Sequence, residues 1–305
     1  MFHLGFVSAI LADKNFGEVV DFASANDFKC IEAMCWPKSG TDTRRYAGVT
    51  HIDVDSLDTD LPLIQKQLAE KEIYLSGLGY YPNPLDPDTN AAEVYITHIK
   101  KLILAAPKLG VSVVNTFIGR DPQKTVSYNL DRYAEVWGDI VALAEKEGVR
   151  IGIENCPMLF TQDEWPGGKN LAISPQIWDK MFHLIPSDHL GLNYDPSHLV
   201  WMQMDEIQPI YDFKEKLFHI HLKDVKVYKE KLDQVGILAY PLEYHSPKIP
   251  GYGDVRWRDF FSALSTVGYQ GPVCIEVEDK AFEGSPEDIK SAILTSRNFL
   301  RQFLS

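Results

Sequence analysis

Four short apolar runs in the second half of the chain each end in a residue able to bind a cation or move a proton. VRIGIENCPM, residues 149–158, carries Glu154. Alternate residues of an extended strand face opposite sides, so Gly152 and Glu154 share one face while Ile151 and Ile153 share the other. LGLNY, residues 190–194, leads into Asp195-Pro196-Ser197-His198. FHIHL, residues 218–222, holds His219 and His221 and continues into Lys223-Asp224. VCIEV, residues 273–277, holds Glu276, with Glu278 just beyond it. A carboxylate at the end of a strand whose other face is apolar needs a cation or a proton, because an unpaired buried charge is costly.

Each residue taken singly has an ordinary structural account. Asp195 could cap a loop, His221 could be a hydrogen-bonded core histidine, and Glu276 could pair with a lysine or arginine. Three carboxylates converging on one mouth would repel one another and hold raised pKa values. A divalent cation removes both problems. Three oxygen donors and one imidazole suit a hard or borderline ion, Mn²⁺ first, with Mg²⁺ and Co²⁺ close to it. Zn²⁺, which favours sulfur and nitrogen in structural sites, stays open for a catalytic one.

Convergence requires the four strand ends to share one mouth. The 305-residue chain alternates strand and helix eight times, with no linker between the units. The strands are expected near 3–8, 30–36, 73–79, 111–117, 149–158, 190–194, 218–222 and 273–277. Helices are expected over 17–26, 61–71, 91–109 and 130–147, from the N-cap Ser174 with Pro175 at the first position, around 206–213, and over 257–267 and 287–304. This pattern predicts one (β/α)8 TIM barrel over residues 1–305, in which active-site residues stand at the carboxyl ends of the strands. A doubly wound sheet is the alternative, but the first turn, SAILADKNFG, lacks the glycine-rich signature. A polar loop is expected over 37–55, and an aperiodic one of about 30 residues after strand 7, over 224–256.

Composition narrows the partners. With 45% hydrophobic residues the chain can bury a large core, and its formal charge of −13 with no basic run argues against nucleic acid. Cys30, Cys35, Cys156 and Cys274 show no CxxC spacing and read as reduced thiols of a cytoplasmic protein. No apolar run is long enough to span a membrane, and the apolar N-terminal stretch reads as a first strand rather than a signal peptide.

Taken together, IGIEN, NYDPSH, HIHLKD, PGYGDV and CIEVED, in this order over nearly the whole chain, resemble the xylose-isomerase-like barrel superfamily. That superfamily includes sugar phosphate isomerases and epimerases, ketose 3-epimerases, inosose isomerases and enzymes of the endonuclease IV type. The resemblance implies one metal site with Glu154, Asp195, His221 and Glu276 as ligands, and places His198 either against substrate or behind a metal ligand. One departure bears on specificity. Ketose 3-epimerases carry an arginine shortly after the strand-7 histidine, where this chain offers Lys223, Asp224 and Lys226.

By this likeness the expected activity is metal-dependent isomerisation or epimerisation of a keto sugar or related polyol through an enediolate. Glu154 and Glu276, three strands apart around the mouth, are the expected catalytic proton-transfer pair, unless both serve only as ligands. Expected substrate contacts are His198, Trp36, Lys223, Asp224 and Tyr244, the aromatics lying against the C–H faces of a sugar or else packing the rim. The same enolisation beside a leaving group would give β-elimination of a 3-keto-glycoside. A phosphodiesterase of the endonuclease IV type is disfavoured by the acidic total, and a non-catalytic sugar-binding barrel by the glutamate pair. The loop over 224–256 would act as a lid, or meet a second copy or a small partner subunit.

Overall fold

In a computed structural model, described for residues 2–38, 48–159, 162–165 and 167–304, the strand-helix alternation closes into a barrel. Its eight strands are β1 (His3–Val7), β2 (Cys30–Met34), β3 (Tyr74–Gly79), β4 (Val113–Thr116), β5 (Arg150–Glu154), β6 (Leu190–Tyr194), β7 (Leu217–Leu222) and β10 (Pro272–Ile275). All neighbours are parallel, and β1 closes the ring between β10 and β2, with Gly5 opposite both Cys274 and Cys30. The chain is therefore a single-domain (β/α)8 barrel, with β10 as the expected eighth strand.

The outer helices are α1 (Phe16–Ala25), α2 (Leu57–Lys71), α3 (Thr89–Ala105), α4 (Val126–Glu147), α5 (Pro175–Leu184), α6 (Pro196–Trp201), α7 (Gln208–Asp212), α9 (Trp257–Thr266) and α10 (Pro286–Leu300). Local chemistry sets their ends. Asn15 and Glu18 form a reciprocal capping box at α1. Gly148, at φ 67°, closes α4 in the left-handed conformation that costs glycine nothing. Tyr133, Trp137, Ile140 and Ala144 recur at helical spacing along α4 and are buried against the barrel. At their ends α2 begins four residues before expectation, and α3 stops before Pro107 rather than at Gly110.

Two expectations change. The stretch after β7 is not aperiodic. β8 (Asp224–Val227) and β9 (His245–Lys248) pair antiparallel, with the short helix α8 (Lys229–Val235) between them. They form an arm on the carboxyl side of the barrel. The helix expected around 206–213 is α7, and a further turn of helix, α6, directly follows β6. Part of the polar loop expected over 37–55 lies outside the described residues.

The barrel interior is not filled only by branched apolar side chains, the usual packing of this fold. Glu32, Ser76, Asn115, Asn193 and His219 stand inside it, all buried. Among the described residues no helix is long and apolar enough to cross a membrane.

Candidate active site and metal centre

β5, β6, β7 and β10 bring the expected residues to one mouth, where they form a closed ring of alternating carboxylates and basic groups. Glu154 Oε1 lies 3.6 Å from His221 Nδ1, which lies 3.2 Å from Glu276 Oε2. Glu276 Oε2 is 3.0 Å from Lys223 Nζ, and Lys223 Nζ is 3.1 Å from Asp195 Oδ2. Asp195 Oδ2 is 3.2 Å from His198 Nε2, and His198 Nε2 is 3.6 Å from Glu154 Oε1. Lys223 has a third carboxylate, Glu278, at 3.1 Å. Asp195 also caps α6, accepting the Ser197 N–H at 2.8 Å, and this turn of helix swings His198 back over the mouth.

A second network lies beneath the ring, and sequence reasoning passed over its central residue. Glu32 of β2 is fully buried, with Oε2 2.7 Å from His221 Nε2. A carboxylate only accepts, so Nε2 carries a proton and donates it. Glu32 Oε1 accepts from the Tyr81 hydroxyl, to which Asn193 donates at 3.1 Å. His219 Nδ1 donates to Asn193 Oδ1 at 2.8 Å, and its Nε2 accepts from the Ser76 hydroxyl at 3.1 Å. Gly79 leaves the room, since a Cβ there would stand 2.6 Å from Glu32 Oε1. The signal was available: Cys30, Glu32 and Met34 share one strand parity in an apolar run, the argument that singled out Glu154.

Electrostatics follow from crowding. Burial alone would raise Asp195 and Glu276. Lys223 and His198 outweigh it at Asp195, and Lys223 and His221 hold Glu276 down to about 2. Burial works against the His221 imidazolium, but Glu32 and Glu276 raise its pKa well above the ordinary value. Burial likewise opposes the Lys223 ammonium, and Glu276, Glu278 and Asp195 more than restore it. Glu278 goes the other way, raised by burial and by Glu276.

The donor set fits a divalent ion. Glu154, His221 and Glu276 each bring one ligand atom to within 4.8 Å of the other two. Asp195 Oδ2 and His221 Nδ1 are buried without a hydrogen-bond partner, and both face the ring. Carboxylates around this mouth (Glu154, Asp195, Glu276, Glu278) outnumber its basic groups (His198, His221, Lys223), which favours a further cation.

The remaining expected contacts divide. His198 and Lys223 are in the ring. Asp224 is not free for substrate, which corrects the expectation: its Oδ1 accepts from Val225 and Val255 N–H, and its Oδ2 from Gly251 and Gly253 N–H and from Trp257 Nε1. It ties the base of the arm to the loop before α9. Trp36 is buried and packs edge-on against Tyr80, which packs on His98. Tyr244 is buried in the arm, and its neighbour His245 faces the mouth, stacked on Trp201 at 4.7 Å. A cavity of about 110 Å³ lies here, walled by Met158, Trp201, Pro241, Leu242 and His245 and reaching His198 and Glu278.

A family model described as a xylose isomerase-like TIM barrel matches residues 20–303. The uncharacterized protein YfiH of Bacillus subtilis is 25% identical over 99% of both chains. An inosose dehydratase of Clostridium perfringens is 27% identical over 111 residues, 35% of this chain and 37% of that one. Among solved structures, the IOLI protein with a bound zinc atom superposes with a TM-score of 0.73 at 18% identity, covering 100% of this chain and 98% of that one. The 3-keto-D-glucoside 4-epimerase YcjR of E. coli superposes at 0.69 with 15% identity, covering 99% and 100%.

Proposed function

Since this chain belongs to the xylose isomerase-like TIM barrel family, we propose that it is a metal-dependent isomerase or epimerase of a keto sugar or related polyol. The observation that carries the reading is the placement of Glu154 and Glu276 on either side of His221 Nδ1, at 3.6 and 3.2 Å, in a buried mouth that also holds Asp195. Glu154, Asp195, His221 and Glu276 would hold the ion, with Mn²⁺ the preferred candidate. When bound, a divalent ion supplies Lewis acidity, which polarises a substrate carbonyl and makes the adjacent C–H acidic.

The chain's own groups supply the proton traffic. Glu276 is held ionised by Lys223 and His221, the form a base needs. Glu154 enters from β5, three strands away from β10 in the barrel order. One glutamate, ionised, removes the proton from the acidified carbon, and the other, entering the step as the carboxylic acid, delivers its proton to the opposite face of that carbon. His198 and Lys223 stand at the mouth with N–H groups for substrate hydroxyls. The arm over them serves as a lid or as the contact for a second subunit, with Ile237 and Leu238 exposed near its tip.

Elimination is the second reading, and the cavity beside His198 favours it, because a leaving group could occupy that space. The inosose dehydratase likeness agrees with it. One experiment separates the two. Keto sugars and 3-keto-glycosides are incubated with the protein and Mn²⁺ in D₂O and followed by NMR. Deuterium entering a C–H with formation of an isomer or epimer supports the first reading. Formation of a dehydrated product or release of an aglycone supports the second, and neither exchange nor elimination with any of these substrates overturns both.

A further inference from the structure

Lys223 is one of few fully buried lysines a protein tolerates, and it stands among three carboxylates. Two of them, Asp195 at 3.1 Å and Glu276 at 3.0 Å, are proposed metal ligands, and the atoms it touches are the ones that face the ring. The third, Glu278, is outside the ligand set and reaches farther into solvent. A carboxylate oxygen binds a divalent ion at about 2.1 Å. An ion on either shared oxygen would therefore lie no more than about 5 Å from the ammonium, in surroundings that screen poorly.

We propose that Lys223 is a built-in competitor for the metal. It holds Asp195 and Glu276 together when no ion is bound, and it lowers the affinity of the site for a divalent cation. Glu278 is its retreat: when an ion takes the two shared oxygens, Lys223 keeps this one carboxylate. The inference rests on the metal reading above but not on the reaction. It gives the ion-free protein a compensated interior and makes the metal exchangeable rather than permanently held.

The test is calorimetric titration of the ion-free protein with Mn²⁺, in the absence of substrate, alongside thermal melting. Lys223→Gln should bind Mn²⁺ at least tenfold more tightly than the parent, and its ion-free form should melt at a lower temperature. Lys223→Arg keeps the charge and should bind as weakly as the parent. Glu278→Gln, which leaves the ring intact, should bind Mn²⁺ more weakly, and that loss should shrink in the Lys223→Gln background, because it acts through the lysine. A direct effect of the Glu278 charge on the ion would persist there undiminished and would count against the retreat. Equal or weaker binding by Lys223→Gln overturns the competitor role. If neither the parent nor Lys223→Gln takes up Mn²⁺, the competitor and the metal site fall together, while deuterium exchange still decides the reaction. Should Lys223→Gln fail to fold, the Glu278→Gln titration decides alone: unchanged or tighter binding overturns the proposal.

Discussion

His221 divides the polar interior into two layers that obey different rules. Beneath it, Glu32, Tyr81, Asn193, His219 and Ser76 hand hydrogen bonds from one to the next. The Asn115 amide, also buried in the barrel interior, has no hydrogen-bond partner. Above it, Asp195 Oδ2, His198 Nε2 and His221 Nδ1 are buried but lack hydrogen bonds, although opposite charges lie 3.1 to 3.6 Å away. A satisfied buried network rigidifies, whereas an unsatisfied one is stable only when something else completes it. The lower layer thus serves as the mount and the upper ring as the working surface.

The largest effect should come from the residue that both layers share. His221→Ala removes a proposed ligand and strips Glu32 of its nearest cation. Breaking a buried ion pair on one side costs about 3–5 kcal/mol. We expect loss of divalent-ion binding by calorimetry together with a melting temperature lower by roughly 10 °C. Asp195→Asn touches only the ring, since its remaining oxygen can still cap α6. It should lose the ion with less than half that fall in melting temperature. Equal destabilisation by the two substitutions would erase the distinction between the layers.

Within the ring the glutamates are next. Glu154→Gln and Glu276→Gln preserve shape and an oxygen donor while removing the base. Each should lower turnover by ~10²-fold or more, the usual scale for a general base. The two should differ in D₂O: one should still wash deuterium into substrate without forming product, and the other should not. Loss of exchange and of metal in both would make them ligands only, and His198 would become the first alternative base.

The upper ring was legible in the sequence because its carboxylates and imidazole sit at the carboxyl ends of apolar strands, where a barrel places its chemistry. The start of α5 at Ser174 and Pro175 was readable for an equally local reason, since the fixed φ of proline suits the first helical position. The lower layer was not found because Glu32 lies inside its strand, and only the parity of Cys30, Glu32 and Met34 marks it. The arm escaped notice because DVKV and HSPK are four residues each and partner across a gap of 17 residues, with Pro247 weakening the second. Asp224 looked like a substrate contact because it follows His221 and Lys223. Its true partners, the N–H groups of Gly251, Gly253 and Val255, come together only through that arm.

Glu32→Gln tests whether the mount matters to the surface it carries. It keeps the volume and an acceptor but removes the charge that orients His221 through its Nε2–H. The carboxylate behind a metal-binding histidine typically accounts for ~10–100-fold in metal affinity. We expect Mn²⁺ binding weakened by that factor although no ring residue is altered. Unchanged affinity would mean that the two layers are neighbours without being coupled.

The smallest effect belongs to the arm, where His245 roofs the mouth. Its Nδ1 donates to the Pro241 carbonyl at 2.7 Å, its ring stacks on Trp201, and Tyr244 packs beside it. Burial, with the positive charge of nearby His198 added, pushes its pKa down to about 4. Above pH 6.5 the imidazole is neutral folded and unfolded, so it contributes no slope. Between pH 6.5 and about 4 the unfolded chain takes up a proton that the folded chain refuses, and stability falls as pH falls. Below about 4 both forms are protonated and the slope disappears. The melting temperature of the ion-free protein should therefore decline by a few degrees from pH 6.5 to 4.5, on top of any loss from the carboxylates. His245→Asn, which keeps a side-chain N–H for the Pro241 carbonyl, should flatten that decline relative to the parent. Parallel melting curves for the two proteins across this window would show that the arm opens before His245 titrates, and that the roof over the ring is held by contacts other than this stack.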